Sequence, residues 1–205
     1  MVQVLKDEVK QAIADAGLEV FASQGFARAT MGDIARRAGV STGNLYRYYE
    51  NKDALLAAVL PAEVPRRLSR LLRQRMESFS EADAPSGGRA ASAKAKSSPH
   101  ALASEELLAF TIAHRRQVVF LLLRAADSPY ERFAERTVEA LAELASTRRK
   151  PSAVRTAVLR QIYENLVVST GQILERFEDE AQIREAVADY GRFHLGGLVS
   201  LLDEA

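Results

Sequence analysis

Residues 30–52 read TMGDIARRAGVSTGNLYRYYENK, and this stretch decides the fold. Thr30 is a favourable N-cap for a short helix, and Gly39 is suited to end that helix in the left-handed conformation. Ser41 can then cap a second helix, which we expect to run to about Tyr49. The segment therefore predicts two short helices joined by a tight turn.

The second of these helices has two chemically different faces. At about 100° per residue, Leu45 and Tyr49 fall on one side, while Gly43, Asn44 and Arg47 fall on the other. In the major groove of duplex DNA, Asn can pair with adenine and Arg with guanine, and glycine lets a backbone approach closely. The pattern predicts a helix-turn-helix that reads DNA. The alternative is a pair of packed helices whose tyrosines are core.

The positive charge of the chain is local. Lys and Arg number 28 against 27 Asp and Glu, so the net charge of +1 argues neither for nor against a polyanionic partner. Between residues 28 and 52, however, there are five bases and two acids, and arginines without an acid follow between residues 66 and 75. We therefore expect an anion to bind in the N-terminal third of the chain.

Helical periodicity dominates the rest of the sequence, and no convincing segment has the alternation of a strand, so we predict an all-α protein. An amphipathic first helix should end at Gly25. A fourth helix should begin at Lys52, falter at Pro61 and Pro65, and restart near Arg66.

The second half of the chain begins after a biased segment. Residues 80–104 contain eight Ala, six Ser and one large apolar side chain, Leu102, so we expect a flexible loop. The later helices are expected at about Glu105–Ala126, Ser128–Arg148, Pro151–Phe177 and Glu180–Leu202. The last two suit an interface with the same pair from a second copy, which predicts a homodimer.

A small-molecule effector would bind in a mostly apolar pocket of this helical body. The candidate lining residues are aromatic or polar: Phe110, His114, Phe120, Tyr163 and Asn165. The chain has no cysteine and shows no metal-ligand spacing or phosphate-binding loop, so we expect no metal, no cofactor and no enzymatic activity. A helical enzyme with dispersed catalytic residues, or a helical interaction module without DNA binding, is the alternative.

Apolar runs such as Val118–Leu123 are too short to span a bilayer, and the start of the chain does not resemble a secretory signal. We therefore expect a cytoplasmic protein without a membrane segment.

Many linked positions between residues 8 and 60 form a recognisable set. They are Gly25-Phe26, Thr30, Asp33-Ile34-Ala35, Ala38-Gly39-Val40-Ser41, Gly43, Leu45-Tyr46, Tyr48-Tyr49, Lys52 and Leu55-Leu56. This set resembles the tetracycline-repressor (TetR) family of bacterial transcriptional regulators. The resemblance implies an all-helical homodimer with a DNA-binding domain at residues 1–51 and a ligand-binding and dimerisation domain at residues 52–205.

The resemblance also implies a function: a repressor that binds an inverted-repeat DNA operator and is released by a small-molecule effector. The helix that Ser41 caps, which runs to about Tyr49, would be the recognition helix, and Lys52 would touch a phosphate. The candidate DNA contacts are Thr30, Ser41, Thr42, Gly43, Asn44, Tyr46, Arg47, Tyr48 and Lys52.

Overall fold

The fold is that of a computed structural model, which describes residues 2–78, 98–146 and 152–203. Within these ranges the chain is helical and has no strand, which confirms the all-α prediction. The helices are α1 (Val2–Gln24), α2 (Met31–Arg37), α3 (Thr42–Tyr46), α4 (Lys52–Val59), α5 (Glu63–Ser78), α6 (Pro99–Ala113), α7 (Arg115–Val119), α8 (Phe133–Ser146), α9 (Ala153–Arg176) and α10 (Glu180–Asp203). A π-helical turn, Phe120–Arg124, follows α7.

The chain divides into two compact units, each made of two separate stretches of sequence. The first unit contains Met1–Arg66 and Arg116–Ala134, and the second contains Arg67–Arg115 and Glu135–Ala205. Helices α1–α4, which we call the head, and the π-helical turn lie in the first unit. Helices α6, α9 and α10 lie in the second. The division into a DNA-binding domain at residues 1–51 and a ligand-binding and dimerisation domain at residues 52–205 stays a prediction.

Side-chain caps define the starts of α2, α3 and α4. Thr30 Oγ1, Ser41 Oγ and Asn51 Oδ1 each accept a hydrogen bond from the backbone N–H three residues later, at 3.1, 3.2 and 2.8 Å. Each such cap stabilises a helix by about 1 kcal/mol. Gly25 and Gly39 follow α1 and α2 with φ values of 81° and 69°, which a side chain would strain. These caps and stops agree with the predicted boundaries.

Helix α1 is the centre of the first unit and packs on α2, α4 and the π-helical turn. The ring of Phe21 lies 5.6 Å from that of Phe26 and 6.1 Å from that of Phe120. Helix α4 approaches α1 at Gly17, where an added Cβ would lie 2.9 Å from Cδ2 of Leu55. Because Leu55 is fully buried, it has little room to move, and the two helices are held closely together.

Helix α3 is shorter than the sequence predicts. It ends at Tyr46 rather than at about Tyr49. The N–H groups of Arg47 and Tyr48 bond to carbonyls three residues back, at 3.1 and 2.9 Å, so the last turn tightens. Arg47 and Tyr48 therefore lie in this tighter turn, directly after the end of α3.

The interruption between α4 and α5 lies where proline predicts it, but the restart is earlier. Helix α4 ends at Val59, two residues before Pro61, and α5 begins at Glu63 instead of near Arg66. Pro65 is thus in the first turn of α5. A missing N–H removes no intrahelical bond there, so this proline is compatible with the helix.

The predicted flexible loop, residues 80–104, is only partly described. Residues 80–97 lie outside the described residues. For residues 99–104 the prediction of a loop is wrong, because α6 already begins at Pro99. Ser98 Oγ accepts from the N–H three residues later at 3.1 Å, and Ala103 is buried. A capping serine followed by proline therefore starts a helix inside the Ala- and Ser-rich segment.

The two helices expected next are also divided differently. The first is broken at His114, between α6 and α7. The second begins at Phe133 rather than just after Ser128. Ser128 Oγ donates to the carbonyl of Ala125 at 2.6 Å and accepts from the N–H of Tyr130 at 3.0 Å. This serine closes a turn instead of capping a helix.

The last two helices lie close to their predicted positions. Ser152 caps α9 by accepting from the N–H of Arg155 at 3.2 Å, and α10 packs on both α9 and α6 within the second unit. The boundaries expected at Arg148 and Pro151 lie outside the described residues.

Candidate nucleic-acid interface and effector site

One face of α3 anchors this helix in the head. Leu45 is 0% exposed, Tyr49 is 7% exposed, and Tyr48 is half-buried. Helix α3 packs on α2. The inward face is therefore the apolar and aromatic one that the helical projection predicts.

The opposite face of α3 is open. Ser41, Thr42, Gly43 and Arg47 are exposed, and Tyr46 is 51% exposed. Among the described residues, no atom lies within 4 Å of the position that a Cβ would take on Gly43. A phosphate or the edge of a base pair could approach the backbone at this point without a steric obstacle.

Two side chains of this region carry hydrogen-bonding groups that the rest of the described chain does not use. Asn44 is half-buried and its backbone N–H bonds to Ser41, but its side-chain amide has no partner among the described residues. The guanidinium of Arg47 likewise has no hydrogen bond or ion pair there. An amide and a guanidinium are the groups that pair bidentately with adenine and guanine.

The other four bases between residues 28 and 52 are engaged within the first unit. Their partners are the Gln24 carbonyl for Arg28, Asp33 for Arg36, Glu19 for Arg37, and the carbonyls of Phe26 and Ala29 for Lys52. Much of the local positive charge is thus tied to the fold. Arg47 is the base of this segment whose charge is most available to an anion.

Lys52, which is predicted to contact a phosphate, also donates hydrogen bonds within the head. Its Nζ donates to the carbonyl oxygens of Phe26 at 2.7 Å and of Ala29 at 3.2 Å, and lies 4.2 Å from the centre of the Phe26 ring. An ammonium has three donors, so one remains for a phosphate. The lysine therefore ties the start of α4 to the connection between α1 and α2.

Replacing Lys52 by methionine is expected to destabilise the protein by about 1–3 kcal/mol, because two part-buried carbonyls lose their charged donor. Thermal unfolding followed by circular dichroism measures the effect. Lys10→Met, a matched change of an exposed lysine in α1, should leave the melting temperature unchanged. Equal melting temperatures for Lys52→Met and wild type would contradict the structural role.

Thr30 and Ser41 differ in what they can offer to DNA. The hydroxyl of Thr30 donates to Oδ2 of Asp33 at 2.6 Å, and this bond, helped by Arg36, holds the pKa of Asp33 below its ordinary value. A phosphate would have to compete for that proton. Ser41 Oγ only accepts, from the N–H of Asn44, so its own proton stays available.

The five candidate effector contacts do not form one cluster. Phe120 is buried in the first unit, where it packs on the aromatic side chain of α1. Asn165 is exposed on α9 and accepts a hydrogen bond from Gln161 at 3.3 Å. Phe110 and His114 are in contact, with ring centres 4.4 Å apart. Only this last pair is brought together.

Tyr163 belongs to a different group of polar side chains, which sequence reasoning missed. It lies in the second unit with Arg75 and His194, and we call these three residues the buried polar cluster. Tyr163 is 0% exposed, and its ring centre is 5.7 Å from that of His194. Burial raises the pKa of Tyr163 to about 12. Burial, with a contribution from the charge of Arg75, lowers the pKa of His194 to about 4.

The inward position of Arg75 had a signal in the sequence. It follows Leu68 by seven residues and Leu71 by four, so all three side chains fall on one stripe of α5. Both leucines are buried. A count of arginines alone places Arg75 in a basic surface block, whereas the helical register places it with the core.

The described part of the chain contains no group of three or more His, Cys, Asp or Glu side chains placed to hold a metal ion. None of its helices has both the length and the apolar character required of a transmembrane span.

Known proteins are similar to this chain mainly in the head. The family model described as bacterial regulatory proteins, tetR family, matches residues 13–59. The chain is 48% identical over 54 residues to the HTH-type transcriptional regulator SrpR of Pseudomonas putida. It is 49% identical over 53 residues to the uncharacterized HTH-type transcriptional regulator TtgW of the same species. Each alignment covers 26% of this chain, with 25% of SrpR and 40% of TtgW.

A solved structure of the fatty acid degradation regulator FadR from Bacillus halodurans is similar over 93% of this chain and 96% of that one, at 17% identity and a TM-score of 0.43. The stronger sequence matches, by contrast, concentrate on the segment that contains α2, α3 and α4. The similarity to the tetR family of bacterial regulatory proteins therefore lies in this N-terminal segment, residues 13–59.

Proposed function

We propose that the protein is a ligand-responsive transcriptional repressor. It binds an inverted-repeat operator as a homodimer and leaves the DNA when a small-molecule effector binds. Residues 1–51 form the DNA-binding domain in this proposal, and residues 52–205 serve effector binding and dimerisation. Two heads would then contact half-sites on one side of the duplex, with centres about 34–36 Å or a multiple of this apart.

The observation that carries the proposal is the arrangement of α3. Leu45 holds the helix to the head, while the side-chain groups of Asn44 and Arg47 have no partner among the described residues. The caps at Thr30 and Ser41 leave helix N-termini on either side, and such N-termini favour anions. This is the combination that reading DNA requires: base-pairing groups on an exposed face, with phosphate contacts beside them.

A second copy is proposed to cover the last two helices. Val158 and Val168 on α9 are 41% and 43% exposed, and Phe193 on α10 is 77% exposed. Among the described residues nothing lies within 4 Å of a Cβ built on Gly196 or Gly197. A helical glycine is about 1 kcal/mol less favourable than alanine, and close packing against a partner helix would offset this loss. These features support a homodimer through α9 and α10.

Regulation is favoured over catalysis and over a helical module without DNA binding. The curated relatives of the head are named as transcriptional regulators, and what they do is proposed here for this chain as well. The amide and the guanidinium on the outer side of α3 have no partner among the described residues and suit a surface that binds DNA. Neither alternative function gives that surface a role.

Replacing Arg47 by alanine is expected to reduce discrimination between operator and unrelated duplex by about 1–3 kcal/mol, because one bidentate base contact is lost. Fluorescence polarisation with labelled duplex from the DNA upstream of the chain's own gene measures both affinities. Titration at two salt concentrations separates the phosphate contribution from base reading. The stoichiometry of the complex checks that two chains bind one inverted repeat.

Arg136→Ala is the matched control, because it removes the same charge from an exposed position on α8. It should leave the discrimination unchanged. An Arg47→Ala protein that distinguishes operator from unrelated DNA as well as wild type does would remove the assigned role of this residue. Failure of wild type to bind any duplex at low salt would refute the proposed function.

A further inference from the structure

The second unit holds a half-buried cation that has no carboxylate partner among the described residues. Arg75 is half-buried, and burial lowers the pKa of its guanidinium. Its Nε donates to Oγ of Ser104 at 3.1 Å, and no carboxylate of the described residues is paired with it. A partly desolvated guanidinium stays charged and is stabilised by an anion that lies against it. Arg75 therefore calls for an anionic partner.

The hydroxyl of Tyr163 is a second group without a partner. The side chain is fully buried, and its oxygen has no hydrogen bond among the described residues. Phenylalanine would fill the same volume without the cost of a buried, unsatisfied hydroxyl. The tyrosine gains from its hydroxyl only if something bonds to it, and a phenol readily donates to a carboxylate oxygen.

These two groups belong to one cluster, which includes His194. The rings of Tyr163 and His194 are in contact, and the ring of Tyr190 stacks on His194 with centres 6.3 Å apart. The charge of Arg75 acts on both Tyr163 and His194, lowering the pKa of each. With a pKa of about 4, His194 is neutral near neutral pH. The cluster thus offers one positive charge and two neutral polar groups.

Buried apolar side chains flank the cluster along the same helices. Leu71 lies one turn before Arg75 on α5, and Leu159 and Val167 lie one turn on either side of Tyr163 on α9. A ligand that reaches the polar groups therefore meets hydrocarbon next to them. Its charged end must be small, and the rest of the molecule must be apolar.

We propose that the buried polar cluster binds an organic monoanion, with its carboxylate against the guanidinium of Arg75 and the hydroxyl of Tyr163, and its apolar body among the flanking side chains. One guanidinium balances one negative charge, which favours a carboxylate over a doubly charged phosphate ester. The inference deepens the effector site of the proposed function and rests on that function for its effect on DNA.

Direct binding to the full-length protein tests the inference. The ligands for isothermal titration are the carboxylates decanoate, phenylacetate and 1-naphthoate. Decan-1-ol is the neutral counterpart of decanoate, so this pair compares a charged with an uncharged head group on the same alkyl chain. At least one carboxylate should bind saturably. If decanoate is the binder, decan-1-ol should bind at least about tenfold more weakly, because it lacks the charge-assisted bonds. Absence of saturable binding by all three carboxylates, or equal affinity for decanoate and decan-1-ol, would overturn the inference.

Two variants locate the site. Arg75→Met and Tyr163→Phe should each lower the affinity for the carboxylate ligand, and for Arg75→Met the loss should be at least about tenfold. Arg73→Met, at an exposed position of the same helix, should bind like wild type. Without ligand, Tyr163→Phe should keep or raise the melting temperature, since the hydroxyl it removes is unsatisfied. Unchanged carboxylate affinity in both variants, or a lower melting temperature for Tyr163→Phe, would contradict the proposal.

DNA binding is measured in the same preparations, so the two ideas fail separately. A protein that binds its operator but no carboxylate refutes only the inference about the cluster. A protein that binds a carboxylate through Arg75 but no duplex refutes only the proposed function. If the carboxylate releases the operator from wild type but not from Arg75→Met, the result supports both the carboxylate site and the proposed function.

Discussion

Replacing Leu45 by alanine is expected to destabilise the head by about 2–5 kcal/mol, because it leaves a cavity where a fully buried side chain anchors α3. Helix α3 has only five residues, so its own hydrogen bonds cannot keep it in place without this contact. We therefore expect a lower melting temperature and a loss of operator binding together. Thermal unfolding followed by circular dichroism measures the first effect, and fluorescence polarisation with operator duplex measures the second.

Arg47→Ala serves as the counterpart to Leu45→Ala on the same short segment. Its side chain is exposed and has no partner among the described residues, so it should lose base discrimination while its melting temperature stays that of wild type. Leu45→Ala should lose both. If Leu45→Ala unfolded at the wild-type temperature, the inward orientation of α3 would be wrong.

The second large effect is a loss of stability in mild acid that comes from His194. Its pKa is about 4 in the folded protein and 6.5 in the unfolded chain, so between these values only the unfolded chain binds the proton. The stabilisation is complete above pH 6.5 and declines as the pH falls towards 4. The full shift corresponds to up to about 3 kcal/mol.

The groups that face His194 account for the direction of its shift. Burial disfavours the imidazolium most, and the positive charge of Arg75 on α5 adds to this effect. Tyr163 on α9 and Tyr190 on α10 contribute neutral rings. Because no carboxylate is among the causes of the shift, no attraction opposes the two effects.

Urea unfolding of wild type and His194→Gln at about pH 7 and about pH 5 measures this contribution. The stability of the variant should fall less between the two pH values than that of wild type. His114→Gln is the comparison variant, and it should change the pH dependence less than His194→Gln does. His114 is half-buried and its pKa is lowered by burial and by Arg67, so it contributes with the same sign. An unchanged pH dependence in His194→Gln would contradict the assignment.

The head was predictable because its signals are local. Thr30, Ser41 and Asn51 cap helices whose starts need only a bond to the N–H three residues later. Gly25 and Gly39 end helices through their own backbone conformation. The inward face of α3 follows from helical geometry alone, so projection was sufficient to separate its buried and exposed sides.

Sequence reasoning was less successful where long-range contacts decide. The phosphate contact of Lys52 stays a prediction, but sequence reasoning did not find that two carbonyls more than twenty residues earlier in the chain bind its ammonium. Phe120 belongs to an apolar run that suits any interior, and the structure places it against α1. Which interior an apolar side chain enters depends on tertiary packing and not on the side chain itself.

The sequence by itself determined the helical class, the caps and stops of the head, and the chemistry displayed by α3, because these depend on residues within one or two turns of each other. Only the tertiary structure decided that Arg47 keeps its charge available while its neighbours are engaged, and that Arg75, Tyr163 and His194 share a buried site. A local pattern can show which side of a helix faces inward, but the partners that a side chain meets there depend on how distant segments pack together.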